Sequence, residues 1–242
     1  MGNFITNEDG YYSLTQTGSV VMLIMVAALV VLTAFLASRA MAVESDKGKT
    51  DTAGSTAAAK KVFSTKQLVV SALGIALAFA LSYVRLIPMP WGGSVTLCSM
   101  LFITIIGFWY GPVIGLTTAL AYGLLEFVQD GASYMLNPMQ VFLDYIFAFT
   151  ALGISGFFNR FRNGLTIGYI AAVLARGVFH TIGGYLYWMD YMPENFPANL
   201  AAIYPICYNY SYLLLEAVIT IFILSLPPVK KALLRIGRMV QE

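Results

Sequence analysis

The chain has 242 residues, 59% hydrophobic and 11% charged, with a net charge of +2 and a mean hydropathy of +0.75. A soluble domain carries about 25% charged side chains, so this composition excludes a soluble enzyme, a disordered chain and a nucleic-acid binder. One histidine and two cysteines, Cys98 and Cys207, support no metal site and no disulfide framework, and no Gly-x-x-x-x-Gly-Lys-Ser/Thr nucleotide-binding run is present.

In chain order, residues 1–18 contain Glu8 and Asp9 and read as an extracellular tail. Residues 19–40 form an apolar run that meets its first ionisable side chain at Arg39, long enough to cross a bilayer. Ala40-Met-Ala42 resembles a signal-peptide cleavage site. The run lacks a basic leader and is longer than a signal's apolar core, so a retained transmembrane helix is expected. Residues 41–66 are polar and contain Lys47, Lys49, Lys60, Lys61 and Lys66, the composition of a flexible linker. Residues 67–228 read as a six-helix membrane domain, with spans at 67–85, 95–109, 112–129, 138–158, 165–188 and 204–226. Pro88-Met-Pro90, Gly111-Pro112, Asn137-Pro138, Asn163-Gly164 and Pro227-Pro228 punctuate them. Residues 229–242 are a basic tail with Lys230, Lys231, Arg235 and Arg238. The expected fold class is all-α integral membrane, a six-helix core preceded by one extra N-terminal transmembrane helix.

Basic residues are retained on the cytoplasmic side of a membrane. Six spans put the linker, Arg160 with Arg162, and the tail on one side, and Asp130, Asp190 and Glu194 on the other. The expectation is a multi-pass cell-membrane protein with the linker and C-terminus cytoplasmic and the N-terminus extracellular.

Ionisable groups in mid-bilayer cost at least about 2.5–3.5 kcal/mol each, so each needs a partner or a cavity. Arg176 and Glu216 both fall about 16 Å from the cytoplasmic ends of adjacent antiparallel spans, which predicts a structural ion pair. A second set lies in the outer third: Asp144 with Tyr145, His180, Trp188, Tyr204 and Asn209, with Glu126 near the outer end of its span. Singly, each has a plain explanation: an interhelical hydrogen bond for a lone histidine, interfacial anchoring for Trp and Tyr. Together they form a pocket suited to a flat, hydrogen-bonding cation, held by aromatic faces and a carboxylate. His180 and Trp188 are eight residues apart, about 800° around a regular helix, and so share a face. Ala72, Ala76 and Ala80 recur every four residues and make a flat helix face, either for packing within the chain or for another protein.

With these residues in view, the chain resembles the substrate-binding S component of energy-coupling-factor (ECF) vitamin transporters, in particular the thiamine-specific branch. The resemblance runs from Gln67 to Pro228. It rests on Gly92-Gly-Ser-Val-Thr-Leu-Cys-Ser-Met100, Tyr110-Gly-Pro-Val-Ile-Gly-Leu116, Tyr122-Gly-Leu-Leu125, Asn137-Pro-Met-Gln-Val-Phe-Leu-Asp-Tyr145, Leu152-Gly-Ile-Ser-Gly156, and His180 followed by Trp188. It implies a six-helix protein that captures thiamine from outside, without a cofactor or ATPase of its own. A transmembrane coupling protein and two ATP-binding subunits would be its partners in the lipid bilayer. The acidic-Tyr pair of the family's fourth helix matches Asp144-Tyr145, the acid bonding the aminopyrimidine. The fifth-helix pair matches His180 and Trp188, with the indole stacked on the vitamin. The pair opening the sixth helix matches Tyr204 and Asn209, and Trp91 corresponds to the aromatic of the first outer loop. Small residues on the family's first helix dock the coupling module, making Ala72, Ala76 and Ala80 partner-facing. Asp144 is one methylene shorter than the Glu found in relatives, and the helix at 19–40 has no counterpart. Two rivals stand beside this reading: a related vitamin or thiamine precursor as cargo, and a stand-alone secondary transporter. The second is disfavoured by the absence of an evident inverted repeat.

Overall fold

The computed structural model describes residues 5–8, 11–14, 63–91, 93–129 and 136–242. The extra helix expected at 19–40, and the linker up to residue 62, lie outside the described residues. Within the expected N-terminal tail, β1 (Ile5–Glu8) and β2 (Tyr11–Leu14) pair antiparallel, Glu8 opposite Tyr11.

The bundle begins at α1 (Thr65–Ser82), whose start is set by a capping box. Ser64 Oγ accepts from the Gln67 amide at 3.1 Å, and Gln67 Oε1 accepts from the Ser64 amide at 2.9 Å. Both bonds satisfy amides that a helix leaves unpaired at its N-terminus. The chain then forms an antiparallel hairpin, β3 (Arg85–Pro88) with β4 (Ser94–Thr96), Arg85 opposite Thr96 and Pro88 opposite Ser94. Beyond it come α2 (Ser99–Tyr110), α3 (Pro112–Gln129), α4 (Pro138–Phe158), α5 (Gly164–Tyr191), α6 (Ala198–Ser225) and α7 (Pro227–Gln241).

Five of these, α1, α3, α4, α5 and α6, are long and apolar enough to cross a membrane. The span expected at 95–109 is instead the 12-residue α2, about 18 Å long. The hairpin takes residues 94–96, and Cys98, at φ +56° in the left-handed region, turns the chain into the helix. The first span likewise stops at Ser82, and Arg85 opens the hairpin. The tail expected at 229–242 is the helix α7, which begins on Pro227-Pro228. Proline suits a helical first turn because its missing N–H would be unpaired there anyway.

α2, α3 and α4 approach one another through glycine. A Cβ on Gly115 would lie 2.6 Å from Gly107 Cα, and one on Gly153 would lie 2.5 Å from Leu116 Cα. One on Gly156 would lie 2.6 Å from Pro112 Cα. Only the missing side chain lets these backbones touch. Ser155 Oγ donates across the same contact to Thr104 O at 2.7 Å. Met100, Ile103, Ile106, Tyr122, Leu152 and Tyr169 fill the adjoining core. α1 packs on the core with Ser71, Gly74 and Ala78, while Ala72, Ala76 and Ala80 are exposed on its other side.

Candidate functional site

At the end of the bundle reached by the β3–β4 hairpin lies a cavity of about 570 Å³. Its walls come from the hairpin, the last turns of α3 and α5, and the first turns of α4 and α6. Asp144, Tyr145, His180, Trp188, Tyr204, Asn209 and Trp91 all line it.

Two helical irregularities set this lining. α4 passes through a π-helical segment at Phe142–Phe147, and α5 through another at Gly184–Trp188. In a regular α-helix, residues eight apart end about 80° out of phase. A π turn accommodates one more residue, about 100°, which brings Trp188 round to the face of His180, where its Nε1 reaches Asp144. In α4 the same device aims Gln140, Asp144, Tyr145 and Phe149 into one hollow.

Asp144 is the hub. Its Oδ2 accepts from Gln140 Nε2 at 2.8 Å and from Trp188 Nε1 at 2.9 Å. Its Oδ1 faces His180 Nδ1 at 3.5 Å. Arg176 Nε donates to His180 Nε2 at 3.2 Å. A guanidinium is always a donor, so Nε2 is the acceptor and the proton of a neutral imidazole sits on Nδ1, directed at Asp144. Arg176, His180 and Asp144 thus form one line of polarity along the cavity wall. Gly183 makes room for it, since a Cβ there would lie 2.6 Å from Asp144 Oδ1.

Asn209 bridges α5 and α6. Its Nδ2 donates to His180 O at 3.2 Å and to Pro205 O at 2.9 Å, and its Oδ1 accepts from Tyr212 Oη at 3.0 Å. A continuous aromatic series runs along the rim: Trp91 to Phe196 (ring centroids 4.9 Å), Phe196 to Tyr204 (5.0 Å), Tyr204 to Tyr208 (5.7 Å) and Tyr208 to Tyr212 (6.0 Å). Tyr145 stacks parallel to Phe149, and the Arg176 guanidinium lies 4.0 Å from the Phe149 ring centre.

The expected Arg176–Glu216 ion pair is corrected. Arg176 turns into the cavity, whereas Glu216 accepts from Thr96 Oγ1 at 2.6 Å and from the Thr96 amide, Ser99 Oγ and the Met100 amide, each at 3.3 Å. The reason is the start of α2, whose N-cap residue Cys98 makes no side-chain cap bond. Its amides need an acceptor away from water, and Glu216 supplies it across the bundle. Both residues still border a smaller chamber of about 110 Å³, which shares Arg85, Glu126 and Phe149 with the main cavity.

Sequence reasoning missed Gln140, Phe149, Tyr208 and Tyr212 as lining residues and gave Arg176 a different role. A signal for two of them was present: Tyr204, Tyr208 and Tyr212 recur every four residues on one helix face. Gln140 and Phe149 have no such mark.

Comparison with known proteins points the same way. A family model described as thiamine transporter protein matches residues 68–236. The thiamine transporter ThiT of Bacillus subtilis (strain 168) is 34% identical over 151 residues, covering 57% of this chain and 76% of that protein. A solved structure of ThiT from Listeria monocytogenes is 25% identical, with a TM-score of 0.52 over 67% of this chain and 94% of the other. The family match takes in every helix that borders the cavity, and this multi-pass membrane protein belongs to the thiamine transporter family.

Proposed function

We propose that the chain is the substrate-binding S subunit of an ECF-type importer and captures thiamine from the extracellular side in the cavity between α4, α5 and α6. The observation that carries this reading is the convergence of Asp144, His180, Trp188, Tyr204 and Asn209 on one hollow in a member of the thiamine transporter family. A hollow of about 570 Å³ falls within the range usual for small-molecule sites.

The cavity wall holds Arg85 and Arg176 against Glu126 and Asp144. These formal charges cancel, so the attraction for a cationic ring comes chiefly from the aromatic faces of Trp188, Tyr145 and the rim tyrosines. Asp144 accepts the aminopyrimidine N–H through Oδ1, because Oδ2 already takes two donors. A ligand that leaves these buried groups unmatched is penalised by about 1–3 kcal/mol per group. The chain needs no cofactor; ATP is consumed by two partner subunits. Release goes through a coupling protein that docks on the exposed Ala72, Ala76 and Ala80 face of α1. The basic α7 and the Arg160–Arg162 turn lie in the cytoplasm by their charge, and the N-terminus lies outside.

The test is thiamine titration of the purified chain followed by tryptophan fluorescence, with the pyrimidine and thiazole halves as competitors. Thiamine quenches the signal, Trp188→Ala removes most of the quench, and neither half competes at the concentration where intact thiamine does. Undiminished binding in both Trp188→Ala and Asp144→Ala would overturn the site. Thiamine accumulation by vesicles holding this chain alone would overturn the ECF assignment.

A further inference from the structure

The helix α7 leaves α6 through Leu226, whose extended backbone (φ −67°, ψ 121°) breaks the helical path. Its far end is pinned to the ends of two other helices. Tyr110 Oη donates to Val240 O at 3.2 Å, Lys66 Nζ donates to Met239 O, and Gln241 Nε2 donates to Trp109 O. A helix of 15 residues extends about 22 Å, so α7 lies across the end of the bundle and does not continue α6 outward. It lies level with the start of α1 and the end of α2.

Four faces can be read around it, one of them the exposed Lys230, Leu234 and Gln241. Val229, Leu233, Gly237 and Val240 turn toward the protein; Gly237 is buried, and a Cβ there would lie 2.6 Å from Trp109 Nε1. Beside this face, Ala232, Ile236 and Met239 form a stripe that is exposed along its length, Met239 to 53%. Next to that stripe, Lys231, Arg235 and Arg238 form an equally exposed basic stripe with the same spacing. An apolar stripe flanked by a cationic one, on a helix lying across the end of the bundle, matches the arrangement of interfacial helices.

We propose that α7 is an in-plane helix that binds anionic phospholipid, with Ile236 and Met239 in the acyl boundary and Lys231, Arg235 and Arg238 on the headgroups. Charge complementarity selects this occupant over a hydrophobic protein partner. The basic stripe adjoins the uncovered apolar one, and no acidic side chain shares α7 before Glu242. Each basic residue near an anionic surface contributes roughly a fivefold gain in affinity, on the order of a hundredfold for three. Anionic lipid thereby sets how firmly α7 holds the ends of α1 and α2, independently of what the cavity binds.

The full chain, with Cys207 replaced by alanine, is reconstituted in phosphatidylcholine nanodiscs with and without phosphatidylglycerol. Nitroxide labels are placed at Met239→Cys or Lys231→Cys. Collisions with dissolved oxygen report lipid contact, and collisions with an aqueous nickel complex report water. Position 239 is expected to favour oxygen and position 231 nickel. Phosphatidylglycerol should raise the oxygen preference at 239, and Lys231→Gln/Arg235→Gln/Arg238→Gln should abolish that rise. A water-exposed position 239 in both bilayers, or one shielded from both reagents as under a protein, would overturn the proposal. So would an oxygen preference indifferent to phosphatidylglycerol, a result from the unneutralised helix that does not depend on folding of the triple variant.

Discussion

The two ends of the bundle are built on opposite principles. Where α2, α3 and α4 meet, side chains have been removed until backbones touch, at Gly107, Gly115, Gly153 and Gly156. At the cavity end, Asp144, Trp188, Tyr204 and Asn209 hold α4, α5 and α6 around a hollow, and α4 and α5 depart from regular α-helix. Without a hydrophobic drive between helices in lipid, close packing is the main source of cohesion. The glycine contact, where α4 runs as 3-10 helix over Ala151–Phe158, therefore supplies stability, which lets the cavity end keep its polar groups. Substitutions should separate the two roles.

The largest effect is expected from Asp144→Ala, which removes the Oδ1 acceptor offered to the ligand. One charge-assisted bond contributes about 1.5–3 kcal/mol, so thiamine affinity by calorimetric titration should fall on the order of a hundredfold, and the orphaned Gln140 and Trp188 donors lower the melting temperature as well. Gly153→Ala should lower stability and leave affinity intact. A Cβ 2.5 Å from the Leu116 backbone overpacks the contact by about 1–3 kcal/mol, seen as a lower melting temperature in detergent, while the folded fraction binds normally. A binding defect as large as that of Asp144→Ala would break the division between the ends. Gly183→Ala sharpens it, because it adds one methyl beside Asp144 Oδ1. Affinity should drop about tenfold, roughly 1.4 kcal/mol, without the thermal penalty. The smallest effect on affinity is expected at Glu216, which ties the hairpin and the start of α2 to α6. Glu216→Gln keeps one accepting oxygen but sets an NH2 against two of those donors, at about 1–3 kcal/mol of stability. A faster thiamine off-rate in stopped-flow measurements, with an unchanged on-rate, would show that the hairpin is held through this residue.

Much of the cavity was legible because a bilayer makes polar side chains conspicuous. Asp144, His180 and Asn209 stand out in apolar helices, since each must find a partner or a cavity. Tyr208 and Tyr212 were lost among 15 tyrosines, most of which serve equally well as interfacial anchors. The Arg176–Glu216 expectation failed for a geometric reason. Counting residues along a helix gives depth, but pairing also requires azimuth, and azimuth depends on what neighbouring helices leave unsatisfied. The short α2 was missed because an apolar run reads alike whether it is a helix or, in part, a hairpin strand.

Hydrophobic composition and the positions of Pro, Gly and ionisable residues were enough to establish a multi-pass helical protein, two of its span-length helices to the residue, and Asp144, His180 and Asn209 among the side chains that line its cavity. Those properties are local, set by transfer free energy and backbone restriction one segment at a time. Only the tertiary structure decided that α2 is short, that Glu216 caps it, that Arg176 polarises His180, and that π turns swing Trp188 over the same hollow as Asp144. Each depends on hydrogen bonds between distant segments, and in lipid such a bond goes to whichever segment brings its partner within reach.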